Sequence, residues 1–158
     1  MDPWLIAPIS AVVSILVGLL FYRYIEKQDS GTPKMKEISD LIKQGANAFI
    51  KREYMTLAMF VGVVSVFILI FLPSPVWLAT DPLKNLQMVL AYIFGSGCSA
   101  LAGILGLNVA TKANAKVANA AKQGLNKAFP VGFRGGAVMG LSVVGVGLLG
   151  GSVVYRFT

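Results

Sequence analysis

The sequence contains no histidine, one cysteine and only seven Asp and Glu among 158 residues. A single cysteine, Cys98, excludes an internal disulfide and a cysteine-built metal cage. It sits among small residues in an apolar run, where packing is its ordinary role. Without histidine, a metal or acid–base centre would have to come from carboxylates, and these are scattered. Asp29, Glu37 and Asp40 come nearest to a cluster, but Lys34 and Lys36 alternate with them, as on a solvated helix face. Charged residues make up only 13% of the chain, against about 25% in a soluble domain.

What the sequence does have is apolar length. Hydrophobic residues reach 56% and mean hydropathy is +0.71, which places the chain in the membrane class. Four windows carry no charge: residues 3–22, 54–80, 85–111 and 135–155. Each exceeds or matches the roughly 20 residues a helix needs to cross a bilayer. The expected fold is an all-α membrane protein, one region over 1–158 with four spans near 3–22, 56–72, 88–110 and 135–155. The first window lacks a basic n-region and is longer than the ~7–15 residues of a signal core, so it reads as a retained span.

The net charge is +7. Its placement argues against nucleic acid as a partner, because the charges are interleaved with spans rather than gathered on a soluble face. Segments 23–53 and 112–134 hold twelve of the fourteen Lys and Arg. By the positive-inside rule these two segments are cytoplasmic and both ends of the chain are non-cytoplasmic.

In segment 23–53, Thr32-Pro33 reads as an N-cap followed by proline at the first helical position. Ile38, Leu41, Ile42, Gly45, Phe49 and Ile50 then recur at helical spacing. The spacing predicts a helix from about residue 33 that continues unbroken into the second span. Pro73-Ser74-Pro75 ends it, and Trp77 stands where an interfacial anchor belongs. Beyond the third span, residues 110–128 form an alanine-rich helical extension with Lys112, Lys116, Asn119, Gln123 and Lys127 on one side. Pro130 and Gly132 are expected to break it.

The fourth window is crowded with glycine: seven occur from Gly135 to Gly151. Each costs a helix about 1 kcal/mol in water, so close packing has to justify them. Gly136, Gly140, Gly147, Gly150 and Gly151 fall within about 100° of one another on a helical wheel, which makes them the expected packing face. In the third span Gly95, Ser99, Ala102, Gly103, Gly106 and Ala110 form a second such face. No G-K-[ST] closes the glycine-rich run, so it is not a phosphate-binding P-loop. Arg134-Gly135-Gly136 at a helix start offers backbone N–H groups to a phosphate, but an anchor with a tight turn is the simpler reading. Ionisable residues are absent at depth in all four spans; Ser10, Ser14, Ser65, Ser96, Ser99, Asn108 and Ser142 supply the polarity there.

Three stretches carry a family resemblance. Residues 35–54 (MKEISDLIKQGANAFIKREY) resemble the first cytoplasmic helix of the membrane-integral, ion-pumping inorganic pyrophosphatases. Residues 110–121 (ATKANAKVANAA) are similar to their third-helix extension, and 133–144 (FRGGAVMGLSVV) to the start of their fourth helix. The resemblance implies a sixteen-helix, two-ring homodimeric pump. Such a pump hydrolyses magnesium pyrophosphate on the cytoplasmic side, moves H⁺ or Na⁺ outward, and in some members responds to K⁺. It implies that this chain is the N-terminal, outer-ring portion, with the remaining helices of the same pump as its partners. The family's catalytic and metal-binding motifs begin at the fifth helix, so catalytic, cofactor-binding and metal-binding residues are all expected to be absent here. Two other readings of the residues are a self-contained four-helix small transporter and a non-enzymatic membrane assembly module joined through the glycine faces.

Overall fold

The computed structural model describes residues 3–75 and 82–157, so Trp77 and Asp81 lie outside the described residues. Four long helices account for nearly all of it: α1 (Pro3–Glu26), α2 (Pro33–Phe71), α3 (Pro82–Ala121) and α4 (Leu125–Phe157). All four are long and apolar enough to cross a membrane.

The helices form a row rather than a closed bundle. α2 packs on α3, α3 on α4, and α4 on α1, while α1 and α3 barely touch. Their small shared core is Ile25, Val109, Ala113 and Val138, with Phe21, Tyr22 and Tyr24 against it. Such a row leaves long apolar faces uncovered. Leu20, Met59 and Val63 are each 60% exposed or more. In water that exposure would be prohibitive; in a bilayer it is ordinary.

α2 starts as the sequence predicts. The Thr32 hydroxyl accepts a hydrogen bond from the Met35 N–H, and Pro33 occupies the first turn. The helix then runs through 39 residues without a break, about 58 Å at 1.5 Å per residue. It stops before Pro73, with the Leu72 N–H closing on the Ile68 carbonyl. Asn85 locks the next helix to this end by donating from Nδ2 to the carbonyls of Leu69 (3.0 Å) and Ser74 (2.9 Å). Two further ties hold α2 along α3: Tyr54 Oη donates to Ala100 O at 2.9 Å, and Ser39 Oγ to Thr111 O at 3.4 Å. The Tyr54 ring tip needs Gly103 opposite, where a Cβ would lie 2.5 Å from the hydroxyl.

The break between α3 and α4 is earlier than the sequence suggests. It falls at Lys122–Gly124, not at Pro130 and Gly132, both of which lie inside α4. Gly124 adopts φ +102°, a left-handed conformation that terminates α3. Its carbonyl then receives the N–H groups of Lys127 and Ala128 and so opens α4. Pro130 is only the sixth residue of α4, so its missing N–H removes a single bond near the start. Gly132 is used for proximity: a Cβ there would lie 3.7 Å from the Val117 side chain of α3.

Candidate functional site

The polar chemistry of this chain is concentrated at one end of the row, where α1 stops and the extensions of α2 and α3 begin. A helix leaves its last four carbonyls without partners inside the helix. In α1 all four are answered. Arg23 O accepts from the Lys27 N–H, and Tyr24 O from Gln28 Nε2. Ile25 O and Glu26 O accept from Lys116 Nζ of α3 at 2.7 and 2.9 Å. Ile25 is 1% exposed, so without Lys116 its carbonyl would depend on the Gln28 N–H alone.

Two more ties flank this one. Lys112 Nζ donates to Tyr22 Oη at 2.8 Å and stands 3.8 Å from the Glu26 carboxylate, which itself accepts from Tyr22 Oη. Asn119 Nδ2 reaches Asp29 Oδ2 at 3.3 Å. From the other flank, the Arg134 guanidinium of α4 lies 3.7 Å from the ring centroid of Tyr24, close enough for a cation–π contact. The Tyr22 hydrogen bond holds the Lys112 pKa above the usual lysine value, so it is charged at neutral pH. Burial pulls the Lys116 pKa below that value, with Glu26 acting against the shift.

Asp29, Glu37 and Asp40 do not come together as a cation site. Asp29 accepts from the Gly31 N–H and from Asn119, and Glu37 pairs with Lys34. Among the described residues, His, Cys, Asp and Glu side chains nowhere form a group of three able to hold a metal. Arg134-Gly135-Gly136 is not a helix start, because α4 begins nine residues before Arg134. Its N–H groups are internal to the helix, and Gly135 is instead a contact, with a built Cβ 3.1 Å from Ala113 Cβ.

The glycine faces are rearranged. Of the five glycines expected to pack in α4, only Gly150 does, where a Cβ would lie 3.1 Å from Cys98 Sγ. Gly136, Gly140, Gly147 and Gly151 face open space. The packing is carried by Gly145, where a Cβ would lie 3.2 Å from the Ala11 carbonyl of α1, and by Gly106 of α3 beneath Met139. A wheel tells which glycines share a face; it does not tell which face meets the neighbour. Gly147 and Gly151 open onto a groove of about 500 Å³ between α3 and α4, lined also by Gly95, Ser99 and Ala102.

The sequence singled out Lys112, Lys116 and Asn119 as one side of a helix, but not their partners. Their spacing, four and three residues apart, puts them on one helix face and no more. Which helix end they cover required the fold.

A family model described as inorganic H⁺ pyrophosphatase matches residues 12–158. A K⁺-insensitive pyrophosphate-energized proton pump of Methanosarcina mazei is 37% identical over 149 residues, covering 94% of this chain and 21% of that protein. A putative K⁺-stimulated pyrophosphate-energized sodium pump of Bacteroides thetaiotaomicron is 35% identical, covering 92% of this chain and 19% of the relative. A second K⁺-insensitive proton pump, from Moorella thermoacetica, is 36% identical and covers 99% of this chain. The chain spans about a fifth of the length of the curated relatives it matches.

Proposed function

The chain belongs to the inorganic H⁺ pyrophosphatase family, and from that premise we propose that it is the outer-ring, N-terminal scaffold of a pyrophosphate-energised proton or sodium pump. In this reading the parent is a homodimer that couples hydrolysis of magnesium pyrophosphate to outward ion transport. Residues 1–158 brace the helices that carry the chemistry. The two charged segments are cytoplasmic and both chain ends lie on the other side.

The observation that carries the reading is the set of surfaces left without a partner. The Gly136, Gly140, Gly147 and Gly151 face is shaped for close approach of a further helix and has none among the described residues. In the extension of α2, outside the expected span, Leu41 and Phe49 are 59% and 65% exposed. Lipid does not cover that height, so protein is the natural cover.

Magnesium belongs to the proposed reaction by family. The carboxylates described above do not fit it: Glu37 pairs with Lys34, Asp29 with Gly31 and Asn119, and among the described residues no three acids converge. No step is therefore assigned to this chain, for magnesium or for K⁺ or Na⁺. A self-contained exchanger is disfavoured by the absence of ionisable groups at depth among the described spans. An assembly module joined through the glycine face differs in its occupant: a second copy instead of later helices.

Cysteine protection distinguishes these. In a Cys98→Ala background, Gly136→Cys, at the charged end of the same open face, should react with a maleimide when residues 1–158 are expressed alone. It should be protected when they are co-expressed with the later helices of a relative. Protection in the chain alone, rising with its concentration, would favour the second copy.

A further inference from the structure

Because α1 and α3 meet only near their charged ends and otherwise lean on α4, a cleft of about 490 Å³ opens between them. Each helix gives it one stripe: Ile15, Leu19 and Tyr22 from α1, Leu105 and Lys112 from α3, Val138 from α4. From Leu105 to Lys112 it runs about 10 Å along the helix axis. Apart from Asn108 of α3 and Ser142 of α4 its wall is apolar until the charged end, where Tyr22 and Lys112 meet.

Lys112 also lines a second cavity, of about 270 Å³, between α3 and the extension of α2. That one is polar and basic. Lys36, Lys43 and Lys116 surround it with the hydroxyls of Ser39 and Thr111, and Asp40 is its one acid. Glu26 is the acid nearest Lys112 from the α1 side. Four ammonium groups against two carboxylates leave the junction net positive.

We propose that the cleft and the basic recess together bind one anionic glycerophospholipid. The hydrocarbon chain fills the apolar cleft, and the phosphate headgroup sits at Lys112 with Lys36, Lys43 and Lys116 around it. Basic pockets between membrane helices recognise such headgroups, and the Lys112 stem follows the apolar wall while its ammonium stays at the polar boundary. The geometry favours a lipid over a further helix. The Lys112–Tyr22 and Lys116–Ile25 bonds bridge α1 and α3 at the charged end of the cleft. A helix about 10 Å wide would run into that bridge, whereas a lipid ends there.

Native mass spectrometry of the delipidated chain in detergent tests this, with dioleoyl phosphatidylglycerol, dioleoyl phosphatidylcholine, dioleoylglycerol and inorganic phosphate as probes. One phosphatidylglycerol should be retained per chain, more strongly than phosphatidylcholine, with dioleoylglycerol and phosphate not retained. Exchanging the α2 pair, Lys36→Gln with Lys43→Gln, should weaken phosphatidylglycerol about thirtyfold and leave phosphatidylcholine unchanged, at about 1 kcal/mol per lysine. Ser142→Leu, which fills the cleft, should weaken both lipids, and circular dichroism should show the helices intact in each variant. Equal retention of the two lipids, equal retention by the lysine variant, or no lipid retained at all would overturn the proposal.

Discussion

Lys116 of α3 donates to the carbonyl oxygen of Ile25 at 2.7 Å and so closes the last turn of α1 from ninety-one residues away. The ammonium is placed where the negative end of a helix dipole favours a cation. It is the main polar tie between two helices that otherwise barely touch.

Removing that amine should loosen the charged end. Lys116→Met keeps the stem and deletes both carbonyl bonds. Hydrogen bonds to a charged donor contribute about 1.5–3 kcal/mol, so a loss of that order is expected in thermal unfolding of the detergent-purified chain. Lys116→Arg should recover part of it. Equal stability of all three would mean the tie is ornamental.

The glycines of α4 should split into two classes. Gly145→Ala places a Cβ 2.7 Å from Ile15 Cγ1 and 3.2 Å from the Ala11 carbonyl, so α1 must move away. Overpacking of this kind costs about 1–3 kcal/mol. Gly140→Ala meets nothing within 4 Å and should leave this chain as stable or more so. Equal effects at the two sites, read by the same thermal assay, would contradict the helix arrangement.

The α3–α4 register can be fixed covalently. A Cβ built at Gly150 lies 3.5 Å from Cys98 Cβ, within the range a disulfide spans. Gly150→Cys should therefore oxidise with the native Cys98 to a bond visible as a two-hydrogen mass loss, while Gly151→Cys, facing open space, should not. The reverse pattern would shift α4 by a residue.

These contrasts show what the sequence could and could not convey. Helix number, the N-cap at Thr32 and the unbroken α2 were legible, because capping chemistry and apolar period are local. The α3–α4 break was misplaced because proline is conspicuous and Gly124 is not. Yet Pro130 lost only one bond, and the left-handed turn at Gly124 decided the boundary. The glycine face was misassigned for a related reason: partner choice between faces depends on α1 and α3 together, through Ala11, Ile15 and Ala113. The ties of Lys116 and Asn119 to α1 span about ninety residues and leave no local trace.

The proposed orientation rests on twelve Lys and Arg in two segments against two elsewhere. In a Cys98→Ala background, Lys43→Cys should be labelled by a membrane-impermeant maleimide only in inside-out vesicles, and Arg156→Cys only in right-side-out ones. The opposite pattern would invert the proposed topology.

The central claim is that residues 1–158 support a pump without supplying its chemistry. Magnesium-dependent pyrophosphate hydrolysis tests it most directly. It should be measured in membranes carrying residues 1–158 alone, and in membranes carrying them together with the part of the Methanosarcina mazei relative that follows its matching segment. The account predicts background hydrolysis from the chain alone and activity when the two parts are present together. Hydrolysis above background by residues 1–158 alone would contradict it.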